Sequence, residues 1–502
     1  MRLAKTLLLG ILTAALVGCV PLAPHRVALG DPAVDCSGDA TFGAACRDST
    51  FEATRLYDLH YVEFDDQGLQ YPRGLPGGQP SPSAFVPAGC EPSAKDCLFG
   101  DAAAFQINNL IKRLNRTADG QPILLVVFIH GWKHDARAED GNLASFRDLL
   151  AQTALIEDSR RRAGGPSVAT RRVVGVYVGW RGRSIDVPGL DNLTFWTRKT
   201  AAMHVAEGSS RELFARLRGF KCQQNAKALP AAARDCSRPP AGDDAVKVVL
   251  IGHSFGGLIL YNAISGSLIE TLTRAFDSTD DGQGRYWRFA DLAILVNPAF
   301  EATRYAPLHR IASTTDYPRY EVPLLVTITS TTDEATGLWF KVGRGLNTLL
   351  ERHADAEEAS ANRETVGHHA EFVTHRMEVL PPAADGRCPG WTLIDRRTPL
   401  EQVAPTFRSN LQRELDNNRR FFETAGTSQE GRFLLKDGWV RDFCGGVRLT
   451  ATKGPANAPI WNVAAVGDPA LLPNHSDITQ PLFIAVIRQL FLDTIYRTDT
   501  AR

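Results

Sequence analysis

The feature that most constrains this chain is a rhythm of short, uninterrupted apolar runs. They fall at residues 123–129 (ILLVVFI), 173–179 (VVGVYVG), 246–251 (VKVVLI), 291–296 (DLAILV), 322–328 (VPLLVTI) and 460–466 (IWNVAAV). Each is strand-length and rich in Val, Ile and Leu, with no polar residue at every second place. Such runs read as strands buried on both faces. Helix-compatible stretches lie between several of them, at 142–158, about 195–219, 256–273 and 338–352, with another at 102–116. Buried strands alternating with helices predict an α/β fold, a mostly parallel sheet with helices on both faces. "LHYVEFDD" at 59–66 alternates and reads as a further strand.

Two regions interrupt the rhythm. Residues 353–455 form a long polar stretch before the last apolar run, read as a large insertion on the sheet's edge. Residues 19–57, rich in Pro, Gly, Ala and Ser, read as a tether. The predicted core is therefore 58–352 plus 456–502. The chain has 502 residues, with 56 Lys plus Arg against 56 Asp plus Glu. With that balance, and no basic block beyond "DSRRRAG", a nucleic-acid partner is not expected.

Residues 1–18 are set apart from the fold. Arg2 and Lys5 precede an apolar run from Leu7 to Val17, too short for an ordinary transmembrane helix and suited to a secretory signal. "Leu16-Val17-Gly18-Cys19" resembles the lipobox of bacterial lipoproteins. The resemblance implies a lipidated Cys19 at the mature N-terminus, and export to the bacterial envelope with a membrane anchor. Val20 after the cysteine points to outer-membrane sorting. Of nine cysteines, removal of Cys19 leaves eight, an even number suited to an oxidising compartment. They fall into local pairs, Cys36 with Cys46, Cys90 with Cys97, Cys222 with Cys236 and Cys388 with Cys444, although sequence does not fix connectivity. Without a CxxC or Cys–His cluster, no zinc site is expected.

The chemistry lies at the ends of two apolar runs. "Gly252-His253-Ser254-Phe255-Gly256" fits G-x-S-x-G, after a strand and opening a helix. A serine on such a sharp turn presents its hydroxyl clear of the backbone, and its neighbours two residues away must be small. The other corner, "FIHGW", ends the run at 123–129 and carries His130, Gly131 and Trp132. Together these motifs resemble the α/β-hydrolase superfamily of serine esterase and lipase type, over roughly 58–350 and 456–502. The resemblance implies an oxyanion hole from the backbone N–H groups of Phe255 and Trp132, and the chain order Ser, acid, His. Asp333, just after the run "LLVTI", is then the acid, with Glu334 the alternative. For the base, "VGHHAEFVTH" offers His368 and His369, but no β-run separates them from Asp333. His475 follows "IWNVAAV" and precedes an amphipathic C-terminal stretch, so it is the expected base.

The chemistry implied is hydrolysis of a small-molecule or lipid-like carboxylic ester through an acyl-enzyme, with no metal and no organic cofactor. Acyl transfer or amide hydrolysis on the same site, and a non-catalytic surface lipoprotein binding a partner on the same scaffold, are the alternatives. His253 is expected to pack in the core. His130 and His134 are expected either to order the oxyanion loop or to be merely structural.

Overall fold

The computed structural model describes residues 23–26, 47, 49–71, 106–164, 170–184, 194–227, 245–277, 288–347, 351–381, 400–429 and 432–496. Its strands are β1 (Phe51–Ala53), β2 (Tyr57–Phe64), β3 (Ile123–Ile129), β4 (Arg172–Trp180), β5 (Val246–His253), β6 (Leu292–Val296), β7 (Leu325–Ser330), β8 (His375–Val379), β9 (Gly426–Gln429), β10 (Arg432–Leu435), β11 (Val440–Phe443), β12 (Val447–Ala451) and β13 (Ile460–Ala465). Eleven of them form one sheet in the order β1-β2-β4-β3-β5-β6-β7-β13-β8-β12-β11, and β9 and β10 pair separately. From β2 to β8 every neighbouring pair is parallel. The two outer ends turn antiparallel, β1 on β2 at one edge and β12 and β11 beyond β8 at the other. This is the α/β architecture that the buried apolar runs predict.

The helices are α1 (Gln106–Gly120), α2 (Gly141–Gly164), α3 (Phe195–Glu207), α4 (Ser210–Ala226), α5 (Phe255–Asp277), α6 (Ala302–Thr314), α7 (Phe340–Asn347), α8 (Ala356–Arg363), α9 (Leu400–Ala425) and α10 (Pro481–Phe491). β3 explains why both sheet faces must be covered, since all seven of its residues are buried. Leu124, Val126 and Phe128 join one core with Leu143, Phe146 and Leu150 of α2, Phe407 and Leu411 of α9, and Phe483 and Val486 of α10. Ile123, Leu125, Val127 and Ile129 join the other with residues of α1, α3, α4, α5 and α6. Alternate side chains of one strand thus feed two separate cores.

Strand order locates the site. β3 and β5 are neighbours, but the chain leaves β3 toward β4 on one side and leaves β5 toward β6 on the other. The helices that follow, α2 and α5, belong to opposite cores. The carboxyl ends of two such strands leave a crevice between diverging connections, where open α/β sheets place their ligands.

The structure differs from the sequence reading in three places. The core begins before residue 58. β1 pairs with β2 inside the stretch read as a tether, and the buried Arg26 donates its backbone N–H to Glu63 and its side chain to the Ala136 carbonyl. The stretch at 195–219 is two helices, α3 and α4, broken at 208–209, where the loop after β2 crosses and Ser209 N–H donates to the Gly68 carbonyl. The 353–455 region does not stand apart. It supplies β8, which lies directly against β13, and α9, which covers one sheet face. A buried Arg488–Glu414 pair fastens α10 to α9, with Arg488 also donating to Gln152 of α2.

Cys19, Cys36, Cys46, Cys90, Cys97, Cys236 and Cys388 lie outside the described residues. Cys222 and Cys444 are buried and in the disulfide form, with partners that are not among the described residues. Among the described residues no helix is long and apolar enough to cross a membrane.

Candidate active site

Ser254 lies between the last residue of β5 and the first residue of α5, with φ of 56°. A left-handed backbone at a non-glycine residue is costly and must be held by its surroundings. Here Ser254 N–H donates to the Val296 carbonyl of β6, while its own carbonyl accepts from Gly257, Leu258 and Ala299. Gly256 is required by close approach, since a Cβ there would stand 2.2 Å from the Ile129 carbonyl oxygen at the end of β3. Gly131 is required on the other side of the same contact, since a Cβ there would come within 2.7 Å of the Ser254 Cβ. The two corners therefore touch through backbone that no side chain could separate.

The structure brings Ser254, His475 and Asp333 into one hydrogen-bonded line. His475 Nε2 is 2.7 Å from Ser254 Oγ, and His475 Nδ1 is 2.7 Å from Asp333 Oδ2. Asp333 sits three residues beyond β7, and His475 lies in the loop between β13 and α10. The Asp333 carboxylate also accepts from Ala335 N–H at 2.9 Å and Thr336 N–H at 3.2 Å on Oδ1, and from the Thr336 hydroxyl on Oδ2. Burial alone would raise the Asp333 carboxyl, but the His475 charge and these donors outweigh it and hold it below the ordinary aspartate value. An ionised Asp333 can only accept, so His475 carries its proton on Nδ1 and turns an unprotonated Nε2 to the serine hydroxyl. Glu334, the alternative acid, is exposed.

Phe255 is the first residue of α5, so its N–H is among those a helix leaves without an internal acceptor. Neither this N–H nor that of Trp132 is committed to an acceptor among the described residues. The Trp132 indole donates to Thr194 Oγ1 at 3.3 Å, and its ring meets Phe195 edge-on; Phe195 in turn packs on Phe255. These aromatic rings form an apolar wall beside the two amides.

His130 orders this corner. Burial pushes its imidazole down to about 4, so it is neutral near pH 7. Its Nε2 accepts from Trp180 N–H at 3.1 Å, which leaves Nδ1–H to donate to the Gly131 carbonyl at 2.9 Å. His134 pairs with Asp140 at 3.0 Å, at the foot of α2.

Two further residues hold His475. Burial drives His253 well below the ordinary imidazole value, with His475 and His134 adding to the effect, and its neutral ring donates from Nε2 to the His475 carbonyl at 2.8 Å. Asn297, at the end of β6 with φ of 44°, donates to the carbonyls of Asn474 and His475 and accepts from Ser330 N–H. Sequence reading gave His253 only a packing role and did not find Asn297. A signal was present, since Asn readily takes left-handed geometry and "LAILVNP" sets it at a strand's carboxyl end. Of the rival bases, His369 binds Glu364 at 3.0 Å, and His368 reaches only the Thr336 hydroxyl, at 3.1 Å. Among the described residues no group of His, Cys, Asp and Glu is arranged to hold a metal ion.

Sheet order, elbow and strand-end loops together make this an α/β-hydrolase fold. No family model matches the chain, and no curated protein matches it. A solved structure of phospholipase PlaB from Legionella pneumophila, in complex with thio-NAD, is similar at a TM-score of 0.21 and 12% identity, over 63% of this chain and 68% of that one. A likeness of that size carries no argument about chemistry.

Proposed function

We propose that this chain is a serine hydrolase that cleaves carboxylic esters through an acyl-enzyme. The observation that carries the reading is the line from Ser254 Oγ through both nitrogens of His475 to Asp333, at 2.7 Å per step, on a strained turn at a helix N-terminus. In the proposed reaction His475 Nε2 takes the Ser254 proton as Oγ attacks the acyl carbonyl. The carbonyl oxygen becomes an oxyanion held by the Trp132 and Phe255 N–H groups. Collapse breaks the ester C–O bond, and the imidazolium gives its proton to the departing alkoxide. Water then attacks the acyl carbon as His475 takes its proton, the bond from the acyl carbon to Oγ breaks, and the imidazolium returns the proton to Ser254 Oγ as the acid product leaves. Asp333 keeps the imidazole in the required tautomer and offsets its transient charge. Preorganised oxyanion donors typically contribute about 2.7–4 kcal/mol each.

We further propose that the protein is exported and anchored to the outer membrane through lipid on Cys19, with Cys222–Cys236 and Cys388–Cys444 among its disulfides. The lipobox sequence and the even cysteine count support this. Mass spectrometry of the mature protein should find an acylated Cys19 and no free thiol; an intact leader or free thiols would overturn it.

A fluorophosphonate probe tests the catalytic reading. It should label the wild-type protein at Ser254 and fail on Ser254→Ala, and wild type should hydrolyse a chromogenic short-chain ester. Absence of labelling in folded wild-type protein would remove the proposed nucleophile.

A further inference from the structure

The His-His pair that rivals His475 in sequence has a place in the structure that the reaction above leaves unused. His368 reaches the acid through Thr336. Its Nε2 is 3.1 Å from Thr336 Oγ1, and the same Thr336 oxygen bonds to Asp333 Oδ2. Asp333 Oδ2 is also the oxygen that meets His475. Five side chains thus form one chain, Ser254–His475–Asp333–Thr336–His368.

The protons in this chain are fixed by counting. An ionised carboxylate has none to give, so Thr336 must donate to Asp333. A hydroxyl has a single proton, so Thr336 can only accept from its other neighbour. His368 must therefore carry a proton on Nε2 and donate it. Burial lowers the His368 imidazole below its ordinary value, which favours the neutral ring, and the proton count makes that ring the Nε2–H tautomer. The imidazole is also packed against chain, since a Cβ on Gly337 would stand 3.2 Å from its Cε1.

We propose that His368 is a positioning residue for the acid: it holds the Thr336 hydroxyl turned toward Asp333, so that Oδ2 carries a second donor and His475 meets a fully hydrogen-bonded, weakly basic carboxylate. This rests on the proposed role of the Ser254–His475–Asp333 line. Its consequence is a limit on how strongly the histidine is held as imidazolium. With both oxygens of Asp333 saturated, the carboxylate orients His475 without trapping it in the charged form, which cannot act as a base. Loss of the Thr336 donor leaves Asp333 held by the Ala335 and Thr336 N–H groups on Oδ1, so the geometry persists while Oδ2 becomes the stronger acceptor.

The test compares His368→Phe, His368→Gln, Thr336→Val and the His368→Phe/Thr336→Val double variant with wild type. The rate of Ser254 labelling by a fluorophosphonate is followed from pH 5 to 9. The groups facing the two histidines are Asp333, Glu364, Lys341 and His475 itself around His368, and Asp333, His253 and His368 around His475. Burial holds His253 well below the ordinary imidazole value. His368→Phe and Thr336→Val should each move the acid limb of the profile to higher pH and lower the plateau by roughly two- to tenfold, the worth of one hydrogen bond. The double variant should equal either single one, and His368→Gln, which keeps an N–H donor, should restore the limb. An acid limb that stays in place in His368→Phe, or additive effects in the double variant, would overturn the proposal. An independent reading comes from the low-field proton resonance of His475 Nδ1–H in a Ser254→Ala background, where no catalysis is needed. It should move further downfield in His368→Phe, and an unmoved resonance would refute the positioning role. A resonance that moves in His368→Phe, together with wild-type protein that never reacts with fluorophosphonate, would instead count against the proposed function alone.

Discussion

Gly131→Ala is the sharpest test of how the two corners are fitted together. The new Cβ would stand 2.7 Å from the Ser254 Cβ, 2.9 Å from His253 Nδ1 and 3.1 Å from the His253 carbonyl oxygen. Apolar atoms settle at about 3.5–4.0 Å, so one corner must move by roughly 1 Å relative to the other. His253 resists, because its ring is tied to the His475 carbonyl. Ser254 resists, because both of its backbone groups are bonded. The loop carrying Trp132 is therefore the part that shifts. Oxyanion donors act within about 2.7–3.1 Å, so a displacement of that size removes one of the two. The expected loss is about 2.7–4 kcal/mol of transition-state stabilisation, or roughly 100- to 1,000-fold in acylation rate. Overpacking should cost about 1–3 kcal/mol of stability besides. The assay is the rate of fluorophosphonate labelling at Ser254, alongside the thermal midpoint. Gly219→Ala is the control, since nothing lies within 4 Å of a Cβ added there. It should label as wild type does and gain about 0.5–1 kcal/mol of helix stability. A Gly131→Ala protein that labels within about threefold of wild type would refute the fit of the two corners.

Other expectations follow from the same geometry. His475→Ala should reduce turnover of a chromogenic ester by several orders of magnitude, on the order of 10⁴ or more, whereas His369→Ala should leave it within about tenfold, and equal losses would sink the assignment of the base. Acid should unfold the protein at mildly low pH. Burial pushes His60 and His375 down to about 3 and His130 down to about 4, with His253 also far below normal, so the unfolded chain binds more protons than the folded one as pH falls below about 6.5. Stability is then complete above that value and declines by about 1.4 kcal/mol per pH unit for each such histidine; a urea midpoint that is flat from pH 7.5 to 5 would contradict the buried neutral rings. Asp333 acts lower on the scale, because its depressed carboxyl contributes stability above the ordinary aspartate value that is lost as pH falls through its folded one. Arg488→Met should cost about 3–5 kcal/mol by leaving Glu414 buried without a cation, and Arg488→Met/Glu414→Leu should recover much of that; a single variant as stable as wild type would show the pair to be solvated.

Much of this fold is local in origin, and that part was legible in the chain. β3 matches its apolar run at 123–129 residue for residue, and β5, β6 and β13 fall within two residues of theirs, because burial on both faces demands a continuous apolar run. The elbow was legible for a similar reason. A left-handed serine between small neighbours leaves a fixed pattern over five residues. The same holds for the corner at Gly131.

What only the tertiary structure decided is long-range pairing. Residues 353–455 carry short, alternating strands whose sequence does not say which edge they extend; β8 finds β13 because that edge is otherwise open, and the insertion becomes part of the sheet. β1 was hidden in a stretch whose composition reads as a tether, since three residues are too few to show a period. The support beneath His475 could not be read either. Its carbonyl is held by His253 from β5 and by Asn297 from β6, and its ring by Asp333 from beyond β7. These are contacts across 142 to 222 residues of chain. The sequence by itself determined which residues can be strand, helix or strained turn, because those are matters of neighbouring side chains. That His475 reaches Ser254 was decided by the packing that closes the final strand onto β7 and carries the loop after it across the sheet.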